Sequence, residues 1–207
     1  MSRSRKTPPR MRNLPPFTTY WAALGLAFLV LIVYGNSLFG GFVTDDRLQL
    51  LRNPWIRSIR WLPQMLASGS GAFMGGTSNY YRPTQPLAYF AIYSLRGLDP
   101  FSFHLLMVLM HLGTTLLVYL LVRRLTSGDT ALAAGVLFAI HPIHTEVVDW
   151  IAAFPDAFTT LLVVLAVWLF VNQNGSPRGI QIAGHCGLYL LAIFSKEPGA
   201  IDRKSVV

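Results

Sequence analysis

The stretch TTYWAALGLAFLVLIVYGNSLF occupies residues 18–39 and contains no charged side chain. A transmembrane helix needs about 20 consecutive apolar residues, and this stretch supplies them. The whole chain has 207 residues, of which 53% are hydrophobic and 13% are charged. Soluble domains of this length are rarely so apolar. The composition therefore predicts an all-α fold, a polytopic transmembrane helix bundle.

Four more apolar segments follow, at residues 103–122, 131–150, 157–171 and 180–194. The third and fifth of the five segments have short apolar runs, so we expect them to use polar flanking residues or to lie partly inside protein. The five segments define a membrane domain of residues 18–201. A basic tail of residues 1–17 precedes it, and an outer loop of residues 40–102, with interface helices, joins the first two spans.

The positions of Lys and Arg predict the orientation of these spans. The tail MSRSRKTPPRMR is basic, so the N-terminus is expected in the cytoplasm. Alternation then places Arg123, Arg124 and Arg178 inside as well. Residues 40–102 fall outside although they contain several arginines, and such arginines often meet a fixed anion. We expect a multi-pass protein of a bacterial inner membrane, or of the endoplasmic reticulum membrane in a eukaryote.

The segment TQPLAYFAIYSL at residues 84–95 is moderately apolar but short. We interpret it as a helix that lies in the outer interface of the membrane. The alternative is that it crosses the membrane, which would reverse the side of every later segment.

Most of the nine acidic residues fall at the outer ends of spans in this topology. Acids and histidines at membrane depth are costly, so they usually face a polar cavity or one another. In the sequence HPIHTE, Pro142 is expected to break the third helix near His141, His144 and Glu146. The spacing differs from the helical zinc motifs, so the cluster is a weak metal signature, and the alternative is a hydrogen-bonded helix end.

The net charge of +8 more often fixes topology or meets phosphates in a membrane protein than it binds nucleic acid. We therefore expect the lipid bilayer, and no nucleic acid, among the partners. The single cysteine, Cys186, cannot by itself form a disulfide framework or a thiolate metal site.

Five stretches carry a family resemblance: FVTDDRLQLLRNPWI, NYYRPTQPLAYFAIYSLRGLDPFSFHLLMVLMH, FAIHPIHTEVVDWIAAFPD, the apolar run after it, and SKEPG. In these the chain resembles the N-terminal half of the membrane-embedded glycosyltransferases of the GT-C superfamily. Within that superfamily it is similar to the transmembrane, TPR-containing O-mannosyltransferase-like proteins and their bacterial relatives. HPIHTE and SKE are the more specific motifs.

The resemblance implies transfer of a sugar, mannose or another hexose, from a polyprenyl-phosphate carrier. The acceptor would be a hydroxyl group of a protein Ser or Thr, or of a glycan, on the outer or lumenal face. Such chemistry needs a carboxylate base for the acceptor and cationic groups for the leaving phosphate. No cofactor is certain, and Mg²⁺ or Mn²⁺ is a possible divalent cation.

By resemblance, the first acid after span one is the base, so we assign Asp45 to the acceptor hydroxyl and Asp46 to orienting Arg47, a loop backbone or a metal. The alternative is that both acids only cap the helix beginning near Arg47. The candidates for phosphate and donor binding are Arg82, Arg52, Lys196, His141 and His144. The supporting acids are Glu146, Asp156 and Glu197.

One departure from the family pattern concerns residues 153–156, which read Ala-Phe-Pro-Asp where relatives often have Gly-Arg-x-Asp. The missing arginine supports an alternative function, a non-catalytic membrane scaffold with the same fold. A transporter is disfavoured, because the polar residues gather at one membrane face rather than near the midplane.

Family members continue beyond SKEPG through further spans, and many end in TPR repeats. We therefore expect the 207-residue chain to be an N-terminal half that is inactive as a transferase by itself. The last residues, 202–207, read DRKSVV and resemble translated sequencing adapter, so we expect them to be foreign to the natural protein.

Overall fold

The computed structural model describes residues 16–76, 80–173, 176 and 178–196. All regular structure in these ranges is helical. The helices are α1 Pro16–Tyr34, α2 Leu62–Ala67, α3 Thr84–Arg96, α4 Pro100–Leu125, α5 Gly128–Ile140, α6 His144–Asp149, α7 Phe154–Val171 and α8 Gly179–Ser195. Short 3-10 helices and one π-helical turn, Arg47–Leu51, lie between them.

Three helical stretches are long and apolar enough to cross a membrane, namely Thr18–Phe39, Pro100–Leu125 and Ile151–Val171. The helices α5 and α8 are apolar but shorter. At 1.5 Å per residue, the 13 residues of α5 extend about 20 Å, less than the roughly 30 Å of a bilayer core. The predicted fold class, an all-α polytopic membrane bundle, is confirmed.

The apolar segment predicted at residues 131–150 is divided into two helices. Helix α5 ends at Ile140, and His141 has an extended backbone with φ −66° and ψ 125°. Pro142 follows and disfavours a helical conformation for the residue before it. The short helix α6 then starts at His144 and leads into the N-terminal end of α7.

Helices α1, α4 and α5 approach one another closely. Leu26, Tyr119 and Ala131 are buried together there. A Cβ atom on Gly135 would lie 2.9 Å from Leu26 Cδ1 and 3.3 Å from Tyr119 Cβ. Glycine at this position allows the close helix approach that small residues provide in membrane proteins.

The polar segments predicted to share one side of the membrane lie at the same end of the bundle. The Tyr34 hydroxyl at the end of α1 donates to the His141 carbonyl, with 3.4 Å between the oxygens. The Thr84 hydroxyl at the start of α3 donates to the Phe194 carbonyl near the end of α8, at 3.3 Å. We call this end of the molecule the polar end.

Helix α3 has only 13 residues and is not among the helices long and apolar enough to cross a membrane. Its residues Gln85 and Tyr89 are buried against the bundle, whereas Leu95 is 81% exposed. The helix therefore covers the polar end with one face and leaves an apolar residue on the other.

Candidate functional site

A cavity of about 250 Å³ lies at the polar end, between the first loop and α3. Both Asp45 and Arg82 line it, so the residues chosen from the sequence as base and phosphate ligand share one space. The other lining residues are Leu48, Gln49, Asn53, Trp55, Met65, Ser68, Gly69, Ser70, Gly71, Phe73, Met74, Gln85, Pro86 and Tyr89. We call this space the Asp45 cavity.

The two adjacent acids have opposite environments. Asp45 is exposed, whereas Asp46 is fully buried, with 0% of its surface accessible. Just before them, Thr44 has φ +38°, a left-handed backbone conformation that a β-branched residue rarely adopts. This strained turn sends one carboxylate toward the cavity and the other into the protein.

The buried carboxylate of Asp46 joins two distant loops. Its Oδ1 accepts the Ala152 N–H at 2.7 Å, and its Oδ2 accepts the Val43 N–H at 3.2 Å. Burial raises the pKa of the Asp46 carboxyl, and these backbone donors act in the opposite direction. The Asp46 side chain makes no capping bond to the turn at Arg47, so it orients loop backbone instead.

Two side chains of α3 form hydrogen bonds to the same segment before α7 that Asp46 contacts. The Tyr89 hydroxyl donates to the Ile151 carbonyl at 2.9 Å, and Gln85 Nε2 lies 3.2 Å from the Ala152 carbonyl oxygen. Burial raises the pKa of Tyr89, so its hydroxyl keeps the proton that it donates. Asp46 of the first loop also accepts the Ala152 N–H. The first loop and α3, which form two walls of the Asp45 cavity, are therefore hydrogen-bonded to the same two residues, Ile151 and Ala152, which we call the 151–152 anchor.

A buried histidine of α4 packs against the start of the first loop. His104, on α4, is only 2% exposed, and its Nδ1 lies 3.4 Å from Ser37 Oγ. A Cβ atom on Gly40 would lie 3.1 Å from His104 Nε2 and 3.0 Å from the Ser37 carbonyl oxygen. Glycine at position 40 therefore lets the chain leave the first span in direct contact with the histidine.

The glycine-rich segment GSGAFMGG forms the far wall of the Asp45 cavity. Gly71 and Gly75 have φ values of +82° and +77°, which favour glycine. The Ser70 N–H donates to the Tyr80 carbonyl at 2.7 Å and ties this wall to the residues before Arg82.

Among the predicted phosphate ligands, Arg82 is the one that lines the Asp45 cavity. Its guanidinium carbon lies 4.9 Å from the centre of the Tyr80 ring, a cation–π arrangement. Arg52 is exposed and does not line the cavity. The structure therefore brings Arg82, and not Arg52, to the candidate base.

The histidines of HPIHTE lie away from the Asp45 cavity. His144 packs with its ring centre 4.3 Å from that of Phe138 and 5.1 Å from that of His111. Burial and the neighbouring His141 lower the pKa of His144. His141 and Glu146 are exposed. These residues form a separate cluster between α4, α5 and α6.

The predicted residues Asp156 and Lys196 form an ion pair with each other. The pair lies at one end of an apolar groove of about 500 Å³ between α7 and α8. Ring contact between Tyr81 and Phe194, 6.0 Å between centres, brings this end of α8 next to the segment that carries Arg82. Glu197, the remaining predicted acid, lies outside the described residues, as do residues 202–207.

The described residues of the Asp45 cavity offer one carboxylate to a divalent cation. Within the described ranges, no group of three or more His, Cys, Asp or Glu side chains has an arrangement that could hold a metal. Asp45 is the acid that lines the cavity there, and both carboxylate oxygens of Asp46 accept backbone N–H groups.

Sequence reasoning missed Gln49, Gln85, Tyr89 and His104. A signal existed for His104, since an ionisable residue inside an apolar span is rare and usually has a polar partner. Gln85 and Tyr89 are four residues apart and share one helix face. The pairing of that face with the 151–152 anchor had no local signal in the sequence.

Comparison with known families decides where the chain belongs. A family model described as dolichyl-phosphate-mannose-protein mannosyltransferase matches residues 83–200, more than half of the chain. The chain belongs to this mannosyltransferase family. The match begins one residue after Arg82 and includes α3, the 151–152 anchor and Lys196.

Relatives of this mannosyltransferase family member extend the likeness toward the first span. Protein O-mannosyl-transferase Tmtc1 of Drosophila melanogaster is 35% identical over 69% of the chain and 17% of its own length. Protein O-mannosyl-transferase TMTC1 of Homo sapiens is 33% identical over 83% of the chain and 20% of its own length. The chain thus spans about a fifth of the length of the curated relatives it matches. No solved structure matches it significantly.

Proposed function

We propose that the complete protein transfers a hexose, mannose by analogy with the names of its relatives, from a polyprenyl-phosphate donor to a protein Ser or Thr hydroxyl. The observation that carries the proposal is the shared cavity of Asp45 and Arg82. A carboxylate and a guanidinium in one cavity are the two charged groups that this transfer needs.

The proposed reaction assigns one task to each group. The Asp45 carboxylate takes the proton of the acceptor hydroxyl as its oxygen bonds to the anomeric carbon. The bond between that carbon and the phosphate oxygen breaks, and the polyprenyl phosphate leaves with the electron pair. The Arg82 guanidinium stabilises the charge that develops on the phosphate, since its planar fork suits phosphate oxygens.

The 151–152 anchor supports this assignment by making the cavity walls rigid. Asp46, Gln85 and Tyr89 are each at most 5% exposed and bind the same backbone segment. Catalytic groups are effective when buried hydrogen bonds hold them in position before the reaction.

The test of the proposal is a transfer assay with the complete protein in lipid nanodiscs. We expect it to move mannose from polyprenyl-phosphate mannose to an acceptor peptide containing Ser and Thr, with release of polyprenyl phosphate. Substitution of alanine for all Ser and Thr in the peptide is the matched control and should abolish labelling. Absence of transfer to any Ser- or Thr-containing acceptor would contradict the proposal.

We further propose that the polar end faces the outside or the lumen and that the N-terminus is cytoplasmic. Single cysteines in a Cys186→Ser background test this orientation. An impermeant maleimide added outside should label Gly76→Cys in the first loop and leave Asp129→Cys, in the first turn of α5, unlabelled until the membrane is permeabilised. The reverse pattern would contradict the orientation, and labelling of both positions would mean that residues 84–95 cross the membrane.

A further inference from the structure

Gln49 has an unusual position beside the candidate base. It lies four residues after Asp45, within the π-helical turn Arg47–Leu51, and both residues line the Asp45 cavity. Side chains three to four residues apart on a helical turn are neighbours on one face. Any ligand that reaches Asp45 therefore passes close to the Gln49 carboxamide.

The oxygen of this carboxamide already has a partner. Gln49 Oε1 accepts from Gln85 Nε2 at 2.8 Å. Gln85 is 5% exposed, and its Nε2 also lies within hydrogen-bond distance of the Tyr89 hydroxyl, at 3.0 Å, and of the Ala152 carbonyl. Nε2 has two hydrogens for these three acceptors, so one hydrogen is shared. The contact to Gln49 is the shortest of the three, and it holds the Gln49 oxygen on Gln85 and away from the ligand.

A carboxamide has one acceptor oxygen and one –NH₂ group with two donor hydrogens. With its oxygen directed to Gln85, Gln49 has its –NH₂ group for a ligand in the cavity. The charges within the cavity indicate which part of the ligand this group meets. Arg82 attracts the phosphate and Asp45 repels it, so the neutral, hydroxyl-bearing sugar ring lies beside Asp45 and Gln49.

We propose that Gln49 binds the transferred sugar, donating from its –NH₂ group to one ring hydroxyl oxygen, and that Gln85 and Tyr89 are positioning residues for it. This assignment rests on the proposed function. It adds a sugar-contacting residue whose orientation is set from the 151–152 anchor, a backbone segment about a hundred residues away in sequence.

The experiment measures equilibrium binding, so that it does not require turnover. The complete protein in nanodiscs is titrated with polyprenyl-phosphate mannose and with its 2-, 3-, 4- and 6-deoxy analogues, and Kd is compared between wild type and Gln49→Met. Wild type should bind one analogue roughly 3–10-fold more weakly than the parent donor, the usual effect of one hydrogen bond between neutral groups. In Gln49→Met the same analogue and the parent should bind equally, since the partner of that hydroxyl is gone.

The comparison of analogues removes effects that are common to all donors. A general disturbance of the cavity changes every Kd by the same factor and leaves the ratio between parent and analogue unaltered. Gln181→Met is the matched control, because Gln181 also accepts a bond through its Oε1, from the Arg178 N–H, far from the cavity. It should show the wild-type ratios.

Tyr89→Phe tests the positioning role. Loss of the hydroxyl removes the bond to Ile151 and the contact to Gln85. For the same single analogue, the ratio of its Kd to that of the parent donor should therefore fall part of the way toward one. The ratios for the other analogues should equal those of wild type. A merely structural role for Tyr89 would weaken all five donors equally and would overturn the positioning assignment.

The possible failures can be told apart. If Gln49→Met keeps the wild-type ratio for all four analogues, Gln49 contacts no sugar hydroxyl and the assignment is overturned, while the proposed function stands. If the wild type binds neither the parent donor nor any analogue, both the assignment and the proposed function are overturned.

Discussion

Asp45→Asn in the complete protein should lower turnover by roughly 10²–10⁴-fold while the protein remains folded, the usual cost of losing a general base. The reason is that asparagine keeps the shape of the exposed side chain but cannot accept the proton of the acceptor hydroxyl. If Asp45 were only a helix cap, asparagine would serve about as well, and turnover would hardly change. Initial rates at saturating donor, together with a thermal unfolding curve, measure both effects.

The neighbouring acid provides the contrast for this prediction. In Asp46→Asn, an –NH₂ group replaces one of the two oxygens that accept backbone N–H groups from Val43 and Ala152. A buried donor left without its acceptor costs about 1–3 kcal/mol, so this variant should lose stability as well as activity. Turnover within a few-fold of wild type for Asp45→Asn would exclude Asp45 as the base and direct attention to Asp46 or Asp156.

Arg82→Met should lower turnover by about 10²–10³-fold, the usual effect of removing one hydrogen-bond donor that stabilises developing charge. Methionine retains an apolar side chain of similar length beside Tyr80 but offers no hydrogen bond to phosphate. Arg82→Lys should recover part of the loss, since lysine restores the charge without the bidentate fork.

Arg96 offers a matched control for Arg82. It lies in the last turn of α3, is exposed and does not line the Asp45 cavity. Arg96→Met should therefore keep turnover close to that of wild type. Equal losses in the two variants would indicate a general electrostatic effect of the outer loop and would contradict a specific contact between Arg82 and the leaving phosphate.

Much of the fold follows from local sequence patterns. The run at residues 18–39 and the one around α4 are apolar over a length that only a spanning helix uses, so the bundle could be predicted from composition alone. Pro142 likewise marks the break between α5 and α6 through a local steric effect. The short apolar run at residues 84–95 likewise predicted that α3 is too short to cross the membrane.

Only the charged residues of the candidate site could be proposed from the sequence. Asp45 and Arg82 could be proposed because charge at a membrane interface is rare and the chemistry requires both signs. The division of labour between Asp45 and Asp46 could not be derived, because it depends on the strained turn at Thr44 and on Ala152 in another loop. The ion pair of Lys196 with Asp156 could not be derived either, and the role of Lys196 as a phosphate ligand stays a prediction.

The separation of Asp46 and Ala152 along the chain has a consequence for biosynthesis. The two residues are 106 positions apart. At a synthesis rate of about 5–20 residues per second, the first loop is made roughly 5–20 s before its partner leaves the ribosome. During that interval the Asp46 carboxylate can accept the nearby Val43 N–H, but its other oxygen has only water or the insertion machinery in place of the Ala152 N–H. The first spans must therefore enter the membrane with the site still open, and the site closes when the start of α7 arrives.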